Sequence, residues 1–144
     1  MHKFLKATID DIDILEDIER QCFNDPWNAE MLFSELIMPH ATFLLLFIDG
    51  NIGGYLSYLH ILDELHIMNV AVLESYRHKG YGSIMLKRII DDAKRLAARA
   101  ITLEVRESNI AAIKLYESHG FTCSGIRPRY YMDKENALIY WLEL

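Results

Sequence analysis

Three parts of the sequence have residue types and spacing suited to chemistry: Arg77-His78-Lys79-Gly80-Tyr81-Gly82-Ser83, Glu104, and Tyr116 with Asn109. The first follows an apolar, β-branched stretch (Val70, Ala71, Val72) and opens a helical pattern, giving the order strand, glycine-bearing loop, helix. The first N–H groups of a helix have no intrahelical acceptor, and the macrodipole adds partial positive charge there. Gly80 and Gly82 lack a Cβ, so the backbone can be approached closely or take positive φ. With Arg77, His78 and Lys79 beside it, the loop suits an anion such as a phosphate. An ordinary connecting loop with two glycines for its turn fits the same letters. A Walker-type loop does not, because Gly82 is followed by Ser83-Ile84 rather than Lys-Ser or Lys-Thr, and a dinucleotide fingerprint does not, because its third glycine would fall on Met85.

Glu104 lies in the middle of an alternating stretch, with Leu103 and Val105 turned to the other side. Its carboxylate is on the less apolar face of a strand, where either chemistry or plain solvent exposure can account for it. Asn109, Ile113 and Tyr116 fall at i, i+4 and i+7 and share one helix face. Tyr116 also reads as packing area, and Asn109 as an N-cap for which Ser108 competes.

The elements that must position these residues follow from periodicity. Lys3–Ala7 reads as a first strand, and Thr8 as a cap for a helix whose apolar stripe is Ile12, Leu15, Ile18 and Cys22, with Asp13, Glu16, Asp17 and Arg20 on a solvated face. Asn24-Asp25-Pro26-Trp27 breaks that helix, and a second runs from Asn28 to Ile37. Strands follow over Thr42–Ile48, Ile52–Leu62 and Leu65–Val72, turning at Asp49-Gly50-Asn51 and Asp63-Glu64; Gly53-Gly54 predicts a bulge or a close backbone approach. A helix is predicted over Gly82–Arg99, a strand over Ala100–Arg106, and a helix over Asn109–His119 that stops at Gly120. Phe121–Ile126 and Ala137–Leu144 form the last, antiparallel pair. The result is an α/β fold with a mixed sheet flanked by helices.

With 144 residues, 51% of them hydrophobic and 25% charged, the chain predicts one domain over 1–144 that buries roughly two thirds of its unfolded surface. A net charge of −6 argues against a general nucleic-acid binder and leaves room for cationic partners such as amines. Cys22 and Cys123 have no metal-type spacing; they predict buried free thiols, with neither a zinc site nor a disulfide. The longest apolar run, Ala41–Ile48, is far below the about 20 residues that span a bilayer, and no N-terminal signal is visible, so a cytoplasmic protein with no membrane partner is expected.

Arg77-His78-Lys79-Gly80-Tyr81-Gly82 fits every fixed position of the acetyl-CoA pyrophosphate loop of the GNAT superfamily of N-acetyltransferases, (Gln or Arg)-x-x-Gly-x-(Gly or Ala), and the stretch resembles it. Leu103-Glu104-Val105-Arg106-x-Ser108-Asn109-x-Ala111-Ala112-Ile113-x-Leu115-Tyr116-Glu117-x-x-Gly120-Phe121 is similar to the segment after that loop in ribosomal-protein alanine N-acetyltransferases, the RimI type. Arg127-x-x-Tyr130-Tyr131 and Pro26-Trp27 resemble the same group, and the similarity extends over essentially the whole chain.

The resemblance implies a GNAT-type, mostly antiparallel mixed sheet, acetyl-CoA as cosubstrate and no metal. It implies transfer to the α-amine of a protein N terminus by direct attack in a ternary complex. By the same carry-over Glu104 is the general base and Tyr116 the general acid. His78–Ser83 with Arg77 hold the pyrophosphate. Val70, Ala71 and Val72 meet the pantetheine arm and the oxyanion, Asn109 contacts the cofactor, and Trp27, Tyr130 and Tyr131 border the acceptor. The chemistry asks for the same parts: an α-amine of pKa about 8 is largely protonated at neutral pH and needs a base, while a phenol of pKa about 10 stays ready to donate. Acetylation of a small amine or lysine side chain, and acyl-CoA binding without turnover, are the alternatives; the implied partner is a small-subunit ribosomal protein.

Overall fold

Each strand and helix of the computed structural model, which describes residues 1–144, begins or ends within a few residues of a signal in the sequence. The order is β1 (His2–Lys6), a 3-10 turn (Ile9–Asp11), α1 (Ile12–Cys22), α2 (Ala29–Leu36), β2 (Ala41–Ile48), β3 (Asn51–Ile61) and β4 (Glu64–Val72). A second 3-10 turn (Glu74–Tyr76), α3 (Tyr81–Arg95), β5 (Ala100–Arg106), α4 (Ile110–Ser118), β6 (Thr122–Arg127) and β7 (Ala137–Glu143) complete it. Hydrogen-bonded neighbours give the strand order β1-β2-β3-β4-β5-β7-β6. β4 and β5 are parallel, whereas β1–β2, β2–β3, β5–β7 and β6–β7 are antiparallel. This is the α/β, mixed and mostly antiparallel architecture expected from the sequence.

The contacts divide the chain into two compact units, Met1–Leu59 with Asn69–Met85, and His60–Met68 with Leu86–Leu144. In the first, Thr8 and Asp11 form a reciprocal capping box that starts the 3-10 turn leading into α1. Leu15 and Ile18 of α1 and Leu32 of α2 are fully enclosed, with the Phe43–Leu46 run of β2 buried on both sides. The Phe43 and Tyr55 rings stack at 6.0 Å. Gly53 is the residue skipped in the β2–β3 register, where Leu46 pairs with Gly54 and Phe47 with Ile52. Gly54 is the close approach: a Cβ there would overlap the Ala71 carbonyl oxygen and come within 2.9 Å of Met85 Cε. Both readings of Gly53-Gly54, bulge and close approach, therefore hold together.

In the second unit, β5 is central: Ala100, Ile101, Leu103 and Val105 are buried, and β5 pairs with β7 from Ala100↔Glu143 to Arg106↔Ala137. Its parallel ladder with β4 runs from Glu64↔Ala100 to Ile67↔Leu103 and ends one residue before Glu104. The helix preceding β5 ends at Arg95 rather than Arg99. Ala97 takes φ 57°, and the Ala98 N–H to Ala93 carbonyl and Ala97 N–H to Lys94 carbonyl bonds close it in a Schellman arrangement. Asp92 of α3 is 4% exposed, and Arg88 and Arg95 both reach its carboxylate.

Candidate functional site

In the first unit the glycine loop is assembled from β4, the Glu74–Tyr76 turn and the start of α3. His78 (φ 63°) and Gly80 (φ 87°) both take left-handed backbone conformations, which turn the chain into the helix. Nothing lies within 4 Å of where a Gly80 Cβ would be, so the side of the loop at that residue is open. The α3 ladder starts with Ile84 N–H on the Gly80 carbonyl, which leaves the Tyr81 and Gly82 N–H groups as N-terminal donors without an intrahelical acceptor. Arg77 spends its Nε on the Val72 carbonyl at 2.8 Å, fixing the loop to the end of β4, while His78 and Lys79 are exposed. Tyr76 packs edge-on against Tyr81 at 6.2 Å and supports the turn, a role its letter alone did not suggest. An open glycine, helix-start amides and a cationic rim suit an anion such as a phosphate.

The same unit holds a buried carboxylate. Glu19 is 1% exposed; its Oε1 accepts the Trp27 backbone N–H at 2.8 Å and its Oε2 accepts the Tyr55 hydroxyl at 2.6 Å. Tyr55 Oη in turn accepts from Asn69 Nδ2 at 2.9 Å. Burial pushes the Glu19 carboxyl up, against the Tyr55 and Trp27 hydrogen bonds that hold it down. Tyr55 is also raised, by burial and then by the neighbouring Glu19 charge. Trp27 is half-buried on the loop between α1 and α2.

In the second unit Glu104 is half-covered, its side chain 30% exposed, with Oε1 3.3 Å from Arg127 Nε on β6. Arg127 also faces the Tyr130 ring at 5.9 Å, and Tyr130 and Tyr131 meet edge to face at 5.1 Å. Arg106 lies over Tyr131 at 4.1 Å and bonds Asp133 and Glu135. These contacts fix the β6–β7 loop, in which Glu135 additionally accepts the Ser108 N–H at 2.8 Å. Asp133 and Glu135 are both held below the usual carboxylate range, Asp133 first by a backbone N–H of Glu135 and Glu135 first by Ser108. Tyr116 is 7% exposed, tilted against Phe121 at 5.8 Å, and burial with the nearby Tyr131 pushes its phenol up to about 12. Asn109 is the N-cap of α4, accepting Ala112 N–H at 3.2 Å, so it and not Ser108 fills that place.

The sequence-selected residues thus gather as two groups. Val70–Val72, Arg77–Ser83 and Trp27 belong to the first unit; Glu104, Asn109, Tyr116, Tyr130 and Tyr131 belong to the second. The expectation of two buried thiols is corrected: Cys22 is half-buried, with Sγ 3.6 Å from the Val72 carbonyl, but Cys123 is exposed because it lies on β6, the last strand of the sheet. Burial pushes the Cys22 thiol up, with the Arg77 guanidinium acting the other way. Glu19 was missed, and Arg127 was singled out only within Arg127-x-x-Tyr130-Tyr131, without its place beside Glu104. The stripe Ile12, Leu15, Ile18, Cys22 gave a signal for Glu19, which sits at i+4 from Leu15 and i+7 from Ile12. The meeting of Arg127 with Glu104 gave none, since it depends on the registers of two strand pairs.

The model of the acetyltransferase (GNAT) family matches residues 12–121. The chain is 33% identical over 130 residues to the ribosomal protein bS18-alanine N-acetyltransferase of Escherichia coli (strain K12), covering 88% of this chain and 87% of that protein. A relative from Bacillus subtilis (strain 168), provisionally named for the same activity, is 35% identical over 138 residues, 94% of this chain and 91% of its own. The crystal structure of the ribosomal-protein-S18-alanine N-acetyltransferase from Escherichia coli superposes with a TM-score of 0.92 at 31% identity, covering 99% of this chain and 94% of that one. The PaiA N-acetyltransferase from Thermoplasma acidophilum in complex with coenzyme A has a TM-score of 0.83 at 16% identity, covering 100% and 99% of the two chains, and shows likeness of fold alone.

Proposed function

This chain belongs to the GNAT acetyltransferase family and is an N-acetyltransferase, and from that premise we propose that its acceptor is the N-terminal α-amine of a protein. The observation that carries the reading is the Glu104 cluster: a half-exposed carboxylate next to a fixed loop that presents Tyr130 and Tyr131, with the enclosed Tyr116 beside Tyr131. The names of the relatives support a small-subunit ribosomal protein beginning with alanine as the partner. We propose further that residues 1–144 act as one N-acetyltransferase domain, in the cytoplasm where such proteins are made.

When bound, acetyl-CoA supplies the thioester carbonyl that the amine attacks. Arg77–Ser83 would hold its pyrophosphate, Val70–Val72 its pantetheine arm, and Asn109 a further contact. Glu104 takes the proton of the α-ammonium, directly or through water, so that the amine can act as nucleophile. Backbone N–H groups around Val70–Val72 are the proposed donors to the developing oxyanion. Tyr116 returns a proton to the departing sulfur; held near 12, its phenol remains protonated at any physiological pH. Trp27, Tyr130 and Tyr131 border the first residues of the acceptor. Direct attack is favoured over an acyl-cysteine route, because neither cysteine lies in one of the motifs and the Cys22 thiol is pushed up by burial.

The test is release of coenzyme A with purified protein, acetyl-CoA and short peptides. Turnover is expected on a free alanine-starting ribosomal N terminus and absent on the same peptide blocked at its α-amine. Equal turnover on α-blocked peptides bearing lysine would replace this reading with side-chain acetylation.

A further inference from the structure

Glu19 is the one carboxylate of the first unit enclosed to 1% exposure, and the proposed reaction gives it no role. A carboxylate in that position is costly unless donors surround it, and a leucine or methionine would fill the volume at lower cost. Its two oxygens serve different elements. Oε1 takes the backbone N–H of Trp27 in the α1–α2 loop, and Oε2 takes the hydroxyl of Tyr55 on β3. Tyr55, itself fully buried, receives Asn69 Nδ2, and Asn69 is the residue before Val70 on β4. A continuous chain of hydrogen bonds therefore runs from the Trp27 loop through α1 and β3 to the residue preceding Val70.

The polarity of this chain is fixed. The Tyr55 hydroxyl accepts from Asn69, so its only proton goes to Glu19, and only a carboxylate can take that proton on one oxygen while accepting an amide N–H on the other. We propose that Glu19 is a positioning residue that sets β4 at Val70–Val72 for the coenzyme through Tyr55 and Asn69. This rests on the assignment of Val70–Val72 to the coenzyme.

Three substitutions interrupt the chain at successive links. In Glu19→Gln the amide keeps an acceptor for Trp27 but turns N–H donors toward Tyr55, leaving the phenol proton without an acceptor. Tyr55→Phe removes the middle link, and Asn69→Ala removes the last at a half-buried position where folding is least at risk. Each is expected to weaken acetyl-CoA binding by about tenfold in calorimetric titration, the loss typical of one charge-assisted hydrogen bond. The Glu19→Gln, Asn69→Ala double variant should lose little more than either single one, because both break the same chain.

A lowered melting temperature with wild-type acetyl-CoA affinity in Asn69→Ala or Tyr55→Phe would overturn the proposal and leave Glu19 a purely structural residue. Additive losses in the double variant would also overturn it. If the wild type binds acetyl-CoA but turns over no N-terminal peptide, the proposed function fails while the affinities still decide the role of Glu19. Failure of the wild type to bind acetyl-CoA would overturn this inference outright.

Discussion

Glu104 and Tyr116 have surroundings that match opposite proton-transfer tasks. Glu104 is half-exposed beside the Arg127 guanidinium, where a carboxylate can meet an incoming ammonium; Tyr116 is enclosed and its phenol pushed up to about 12. Glu104→Gln and Tyr116→Phe are each expected to lower kcat by about 10²-fold to 10⁴-fold while leaving the acetyl-CoA dissociation constant near wild type. Stopped assays with calorimetry on the same samples separate the two quantities. If the loss in Tyr116→Phe lies wholly in affinity, the tyrosine is a packing or cofactor contact. The wild-type rate should also show no alkaline decline from Tyr116 up to about pH 10, because its proton is retained there. The sequence singles out these two residues because they lie in a long motif at fixed spacing. The Arg127–Glu104 contact is not legible there, because a contact made across β7 has no trace in linear spacing.

At the level of elements, strands were legible wherever apolar residues alternate or run continuously, and β5 was found with both ends correct. The end of α3 was not. Its stop depends on Ala97 in a left-handed conformation that an alanine adopts at a cost of roughly 1–2 kcal/mol, so the letters Leu96-Ala97-Ala98 read as more helix. Ala97→Gly should relieve that cost, for a net gain of about 0.5–1 kcal/mol after the extra unfolded freedom of glycine is subtracted, and raise the melting temperature by about 2–4 °C. A lower melting temperature would show that Ala97 is unstrained. Gly54 predicts the reverse. In Gly54→Ala the new methyl meets the Ala71 carbonyl, a backbone atom that cannot step aside. A loss of about 1–3 kcal/mol in urea denaturation is expected from overpacking. It should come with weaker acetyl-CoA binding, because the displaced strand is the one assigned to the coenzyme.

For the molecule as a whole, buried and exposed carboxylates give stability opposite dependences on pH. Glu19 is raised above its ordinary 4.5, chiefly by burial, so over that window the native state binds more protons than the unfolded chain and stability falls as pH rises. Its contribution is complete below the unfolded value and is lost as pH rises through the folded one. Asp49, Asp133 and Glu135 are lowered, by the chain's amino group, by the Glu135 N–H and by Ser108 in turn, and their contributions are present above the unfolded values and lost as pH falls through the folded ones. Urea midpoints of wild type and Glu19→Gln should therefore converge or cross as pH rises above the ordinary 4.5 and run parallel well below it. A constant difference across that range would remove Glu19 from the pH dependence. The two thiols carry a practical consequence of the same contrast between cover and exposure. Alkylating reagents need an accessible thiolate, so a maleimide dye should attach first to the exposed Cys123 and tag the rim of the sheet without any engineered residue. The half-covered Cys22, lodged against the Val72 carbonyl with its thiol pushed up by burial, should react more slowly, so a single label can be placed by limiting the reagent.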